Sequence, residues 1–343
     1  MRDLPCGDLR LYLECDLRRV DCRRCGGVKR ERLDWLAANP HDTKRVARYV
    51  GKQCRGTSIK EVAEDLRLDW HAVKEMDKLY MREQLARADV LRPAVIGVDE
   101  ISIRKGPVYR IVVSDLERRQ PLWFGGVDRS EASMAMFYDF LGAPRSQRIR
   151  LAVMDMWKPF RNVTEVHAPR AAIRYDKVHV LRHLNDAMDQ VRKAEYKRLT
   201  NRPDRTYIQG QKYVRKEPFG QLWDDRREPW ARTFFDQWTA SLRWQRLKPF
   251  EKFAAMIERH WDGIAAYCRP ENQIALGFVE GLNNKIRMIQ RRCYGLRDED
   301  DLHLKILTCT LPPLPRTYIA RKSPTRIPEA PLMFGAAVGM FAF

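Results

Sequence analysis

Residues 94–126, AVIGVDEISIRKGPVYRIVVSDLERRQPLWFGG, decide the fold class. Three runs in this stretch, AVIGVDE, PVYRIVVSD and RQPLWFGG, are rich in β-branched and aromatic residues. They are separated by Gly106-Pro107 and by the polar cluster Glu117 to Arg119. Such runs between turn formers predict a meander of three antiparallel strands. Outward toward the C-terminus the pattern alternates: a helical stretch over about 129–142, the strand IRLAVMD (149–155), a helix over about 156–165, and the strand AAIRYD (171–176). Strands first paired with themselves and then alternating with helices predict an α/β domain.

This order is that of a ribonuclease H-like domain. Residues 177 to about 268 are charged and aromatic helical sequence, including DDRREPWARTFFDQW, with no convincing strand, and are read as a helical insertion. A last helix is expected from about Asn272 to Arg292. After Leu311 the prolines of LPPLPRTY and SPTRIPEAP describe an irregular tail over 312–343. Toward the N-terminus, Pro93 marks a boundary. Within 41–92, the segment TSIKEVAEDLRLDWHAVKEMDKLY (57–80) has a capping box in Ser58 and Glu61, an apolar face of Ile59, Val62, Ala63 and Leu66, and a turn at Arg67 to Asp69. Asp69 caps a second helix with Trp70, Val73, Met76 and Tyr80 on its buried side, the pattern of a helix-turn-helix. Residues 1–40 are short, basic and cysteine-bearing, and read as a small β-rich module. The expected organisation is thus 1–40, 41–92, a catalytic block over 93–311, and the tail.

The 343 residues carry 64 Lys+Arg against 45 Asp+Glu, a formal net charge of +19 and a pI of about 9.8. A basic excess spread along most of the chain points to nucleic acid, with a membrane surface as the weaker alternative, and the helix-turn-helix pattern makes double-stranded DNA the expected partner. The eight cysteines are irregularly spaced in a chain too large to need disulfide staples, which predicts reduced thiols in a cytoplasmic, nucleoid-associated protein. The start MRDLPCGD has no apolar h-region. The apolar end PLMFGAAVGMFAF (331–343) is too short for the ~20 helical residues that span a bilayer, so no membrane partner is expected.

Asp99 and Asp155 each follow an apolar strand run, so both carboxylates emerge at the edge of one sheet. In-line attack on a phosphodiester uses metal ions about 3.5 to 4 Å apart, held by carboxylates from both sides. A third acid has to come from a helix packed on the sheet. In NQIALGFVEGLNNKIRMIQRR (272–292), Glu280 shares a polar stripe with Asn283, Asn284 and Arg287, beside an apolar stripe of Ile274, Phe278, Ile286 and Ile289. A lone Asp at a strand end is usually a turn former or a cap, and a Glu on an amphipathic helix is usually solvated. Glu100 points to the other side of the strand, whereas Asp176 ends a strand run and competes with the trio.

The strings VIGVDEISIRKG (95–106), LAVMDMWKPF (151–160), YDKVHVLRHLNDAMDQVRKAE (175–195) and VEGLNNKIRMIQRRCYGLRD (279–298) resemble, in order, the catalytic blocks of the ISL3 family of bacterial insertion-sequence (DDE) transposases. The resemblance places the family's acidic triad on Asp99, Asp155 and Glu280. It implies magnesium or manganese as cofactor, an insertion-bearing ribonuclease H-like fold, cleavage at terminal inverted repeats, strand transfer by the freed 3′ hydroxyl, and a homo-oligomer that pairs two ends. Cys22 and Cys25 form a C-x-x-C knuckle, half of a zinc-ribbon-like site. Similar transposases carry a second knuckle upstream, where this chain has only Cys6 and Cys15. DNA contacts are expected from His71, Lys74, Glu75 and Lys78 on the second helix and from Asn283, Asn284, Arg287, Arg291, Arg292 and Arg297 near Glu280. His179 and His183, four apart on a helix, read as structural or DNA-facing. The competing readings are a sequence-specific DNA-binding regulator with a silent α/β domain and a catalytically decayed remnant.

Overall fold

Two hairpins open the chain: β1 (Arg2–Cys6) pairs with β2 (Leu9–Tyr12), and β3 (Arg19–Cys22) with β4 (Gly27–Arg30), both antiparallel. In this computed structural model the described residues are 1–315, apart from 32, 38, 40, 90, 104–107, 201–218, 224–226, 244–246 and 294–297. Three helices follow the hairpins: α1 (Lys44–Cys54), α2 (Ile59–Leu66) and α3 (Trp70–Arg87). Their starts obey local chemistry. Thr43 Oγ1 accepts from Val46 N. Ser58 and Glu61 form the reciprocal capping box, and Asp69 accepts from the N–H groups of His71 and Ala72. Arg67 ends α2 in the left-handed region at φ 50°, which turns the chain into α3. Val46, Val50, Cys54, Val62, Ala63, Val73 and Met76 make the core of these helices. Gly51 lets α1 approach α3 so closely that a Cβ there would collide with Tyr80.

The central sheet has the order β7-β6-β5-β8-β9, built from β5 (Val95–Ser102), β6 (Tyr109–Asp115), β7 (Gln120–Gly125), β8 (Leu151–Met154) and β9 (Ala172–Tyr175). β6 runs antiparallel to β5 and β7, and β8 and β9 run parallel to β5. Alternation along the strands gives each face its own cover. Ile96, Val98, Ala152 and Met154 pack with α4 (Glu131–Leu141) and α6 (Lys158–His167), while α5 (Ala143–Ser146) joins α4 to β8. Val95, Leu151 and Val153 face the other way and meet Ile274, Leu276, Phe278 and Val279.

Beyond β9, α7 (Lys177–Thr200), α8 (Glu228–Arg243), α9 (Lys248–Arg259) and α10 (Trp261–Ala265) extend the same core with Phe219, Trp223, Phe235, Trp238, Phe250 and Phe253. The described residues of the expected insertion are therefore helical. α11 (Gly277–Arg292) begins later than the sequence indicates, because Pro270–Asn272 form a single 3-10 turn.

Among the described residues, Met1–Ala88 together with those from Ile289 to 315 form one compact unit, and those of Asp89–Met288 form the other. The last part of the 93–311 block thus belongs with the N-terminal helices. There α12 (Glu299–Thr308) packs on α3, and its Lys305 ammonium is buried between Asp77 and Asp301. The expected tail lies outside the described residues beyond 315. Among the described residues, no helix is long and apolar enough to cross a membrane.

Candidate active site

The β5–β8 ladder pairs Gly97 with Val153, and the β8–β9 ladder pairs Val153 with Arg174 and Met154 with Tyr175. The β8–β9 ladder continues past the strand ends, since Asp176 N–H donates to the Met154 carbonyl at 3.0 Å. Carried on at the same register, Asp99, Asp155 and Asp176 fall in one row across three adjacent strands, ~4.8 Å from strand to strand. All three belong to the alternation series of Val95, Leu151 and Val153, so they share a sheet face. They line one small cavity of about 10 Å³ with Val98, Val153, Met154, His179, Leu276 and Val279.

Each aspartate is oriented by a nearby backbone N–H. Asp99 Oδ1 accepts from Glu100 N at 2.8 Å, Asp155 Oδ1 from Met156 N at 2.6 Å, and Asp176 Oδ1 from Val178 N at 2.9 Å. The second oxygens of the first two meet side chains: Asn283 Nδ2 donates to Asp99 Oδ2 at 2.6 Å, and His179 Nδ1 lies 3.2 Å from Asp155 Oδ2. Burial pushes the Asp99 carboxyl above its ordinary range, only partly offset by the Glu100 N–H, His179 and Asn283. Burial pushes Asp155 up as well, but the His179 hydrogen bond and charge and the Met156 N–H outweigh it, and Asp155 ends below its ordinary value. The Asp155 hydrogen bond raises His179 in turn, against the effect of burial.

The helix side of the site is set by Arg174, the largest fully buried side chain among the described residues. From β9 its guanidinium donates to the Asn272 carbonyl and, at 3.2 Å, to that of Ile274, with the Tyr267 ring beneath it at 5.3 Å. This fastens the segment leading into α11 onto the sheet. A Cβ on Gly97 would lie 2.8 Å from Leu116 and 3.1 Å from Val279, so the missing side chain is what lets the segment come so close. Glu280 sits in the first turn of α11, exposed and outside the cavity lining. Asn283 is turned inward onto Asp99 instead of out toward solvent. Asn284 and Arg287 stay exposed and are bonded to each other at 3.2 Å.

Residues 96–214 and 209–306 match the sequence model of the ISL3 DDE family, described as transposase. Residues 31–81 match that of the helix-turn-helix domain of transposase family ISL3. The transposase for insertion sequence element IS1001 of Bordetella parapertussis is 30% identical over 339 residues, 89% of this chain and 83% of that relative. The chain belongs to the ISL3 family of DDE transposases. Transposases for insertion sequence element IS1557 from two strains of Mycobacterium tuberculosis, CDC 1551 / Oshkosh and ATCC 25618 / H37Rv, are each 22% identical over 358 residues, 88% of this chain and 79% of theirs.

In this DDE transposase, DNA binding follows from the helix-turn-helix. The face of α3 differs from the expected one, however. His71 and Glu75 are exposed, but Lys74 is only partly exposed and Lys78 is buried: Lys74 pairs with Asp298 at 2.7 Å, and Lys78 with Asp298 at 2.8 Å and Asp300 at 3.0 Å. Arg82, one turn on, completes the row at 2.9 Å from Asp300. The stripe at i, i+4 and i+8 faces the acidic start of α12, a partner that no local reading of 57–80 supplies. His71, Glu75 and Leu79 instead line a groove of about 310 Å³ with Ala37, Asn39, Ala47 and Met76. Arg291 is exposed, Arg292 donates to the Arg55 carbonyl at 2.8 Å, and Arg297 lies outside the described residues.

Membership of a DDE family implies dependence on a divalent metal. Among the described residues, no group of three or more His, Cys, Asp or Glu side chains is arranged as it stands to hold one. The Oδ2 atoms of Asp99 and Asp155 are turned to Asn283 and His179. The donors nevertheless fit a hard cation: aspartate carboxylates in one row, with Asn283 Oδ1 buried beside them and lacking any hydrogen-bond partner. Zinc does not fit. Cys22 and Cys25 flank the turn between β3 and β4, Cys6 and Cys15 are exposed and free, and no third or fourth ligand joins the knuckle among the described residues.

Two features of the site were not anticipated. His179, read as structural or DNA-facing, sits on Asp155; its position three residues after Asp176, at a strand-to-helix junction, was the available signal. Arg129 pairs with Glu100 at 2.7 Å and lies over the rings of Trp157 at 4.6 Å and Tyr109 at 4.9 Å, residues too far apart in sequence to be grouped without the fold.

Proposed function

We propose that this transposase binds the terminal inverted repeats of its insertion sequence and performs magnesium- or manganese-dependent cleavage and strand transfer there. Asp99, Asp155 and Glu280 form its acidic triad on a ribonuclease H-like domain with a helical insertion. The observation that carries the reading is the register: Asp99 and Asp155 are neighbours in one row, on the sheet face that the segment leading to Glu280 covers. The strand order, with three antiparallel strands at one side and two parallel ones at the other, supports the fold assignment.

When bound, a divalent ion supplies Lewis-acid polarisation of the phosphoryl oxygen and lowers the pKa of an attacking water. The chain supplies the orientation. Asp99 and Asp155 are held at Oδ1 by the N–H groups of Glu100 and Met156 and at Oδ2 by Asn283 and His179. Asn283 ties α11, the helix that carries Glu280 in its first turn, to Asp99. Asn284 and Arg287, exposed and bonded to each other, would meet phosphate oxygens, which positions DNA without reading it. His71 and Glu75, exposed on α3, are placed to read base edges. Two copies pairing two ends would satisfy the symmetry of the substrate.

The test is cleavage and strand transfer on DNA carrying the element's own ends. Nicking at the repeat boundary that needs magnesium or manganese and disappears in Asp99→Asn, Asp155→Asn and Glu280→Gln is the expected result. Activity that survives one of these substitutions removes that residue from the triad, and specific end binding by a wild type that never cuts supports the regulator instead.

A further inference from the structure

We infer that Asp176 is a further ligand of the catalytic metal centre, on the β9 side of Asp155; this rests on the metal-dependent reading above. Asp176 continues the row of Asp99 and Asp155 at the same register, on the same sheet face, and lines the same cavity, which Glu280 does not. Its anchoring repeats theirs. Oδ1 is fixed by a backbone N–H, that of Val178, so the carboxylate has a second oxygen left for another partner. Three carboxylates on adjacent strands, themselves ~4.8 Å from strand to strand, repel one another, and a cation among them offsets that repulsion. His179 is the one basic side chain in the cavity lining, and it is engaged with Asp155. Independently of the acids, Asn283 is nine-tenths buried (9% exposed), its amide is bonded to Asp99, and its Oδ1 has no partner, an oxygen donor of the kind a hard cation takes.

The competing role for Asp176 is a cap for α7, and that role uses Oδ1 alone. Asp176→Ser retains a capping oxygen and removes the carboxylate, and Asp176→Asn retains the shape and removes the charge. The experiment is titration of the full-length protein, without DNA, with manganese, read by electron paramagnetic resonance, with circular dichroism and thermal melts as controls of fold. Wild type is expected to bind manganese, Asp99→Asn to lose that binding, and both Asp176 variants to bind about tenfold or more weakly while melting like wild type. Wild-type manganese affinity in either Asp176 variant, with binding lost in Asp99→Asn, overturns the inference and leaves the metal-dependent reading standing. A wild type that binds no manganese overturns both.

Discussion

Asn283 donates to Asp99 Oδ2 at 2.6 Å from the helix that also carries Glu280, so in the proposed reaction its amide acts through a carboxylate. A hydrogen bond to a charged group contributes about 1.5 to 3 kcal/mol, which corresponds to roughly 10- to 100-fold in rate at 1.36 kcal/mol per decade. Asn283→Ala is expected to slow end cleavage by that factor at saturating metal, with its melting temperature close to wild type. Single-turnover cleavage at several metal concentrations checks this, and unchanged rates would remove Asn283 from the site. Asp99 and Asp155 were legible as acids because each follows an apolar run, but only Asp155 stands at a strand end: β5 continues past Asp99, which pairs with Val112, to Ser102. Asn283 was legible only as a member of a polar stripe, since its partner lies 184 residues away and stripe position alone does not distinguish inward from outward.

Two elements are held by contacts that single substitutions test. Arg174 on β9 holds the carbonyls of Asn272 and Ile274 and thereby the entry to α11. Arg174→Met keeps the apolar stem and leaves those carbonyls without their donor, so a loss of roughly 2 kcal/mol or more in urea unfolding is expected, together with reduced cleavage. The start of α12 is held to α3 by Asp298, whose carboxyl is kept well below its usual range by hydrogen bonds first from Lys74 and then from Lys78. A depressed folded-state pKa means that this stabilisation is present above the unfolded carboxylate pKa of about 3.9 and is lost as pH falls toward the folded value. The melting temperature of wild type should therefore fall more steeply below about pH 4 than that of Asp298→Asn, which lacks the titrating group. Parallel acid limbs in the two proteins would show that the contact adds nothing. The elements themselves were readable from capping boxes and period-two runs, but the pairing of α3 with α12 was not. The acids of α12 look like an ordinary helix start, and the lysines of α3 look like a DNA-facing stripe.

At the scale of the whole molecule, the first unit is discontinuous: its N-terminal helices are completed by α12 from the far end of the chain. Lys305 reaches Asp77 across 228 residues, and both side chains are buried, at 7% and 2% exposure. Removing one partner of a buried ion pair costs about 3 to 5 kcal/mol, because the other charge stays in a low dielectric. A fragment of residues 1–92 leaves Asp77 without Lys305, and no cooperative unfolding transition is expected of it by circular dichroism. Addition of a peptide spanning 289–315 is expected to restore part of the transition. A fragment that folds cooperatively alone would show the C-terminal helix to be dispensable.

By itself, the sequence determined the α/β class, the strand order in time, the helix caps, the family and the two aspartates that follow apolar runs, because all of these depend on local pattern: apolar periodicity, turn chemistry, and motifs that lie together along the chain. Only the tertiary structure decided that Asp176 stands in the row of Asp99 and Asp155, that His179 and Asn283 are turned onto those acids, and that Lys74 and Lys78 face α12. Each of these depends on strand register or on helix packing between distant segments, and a one-residue shift in register would move an entire row of side chains to the opposite face.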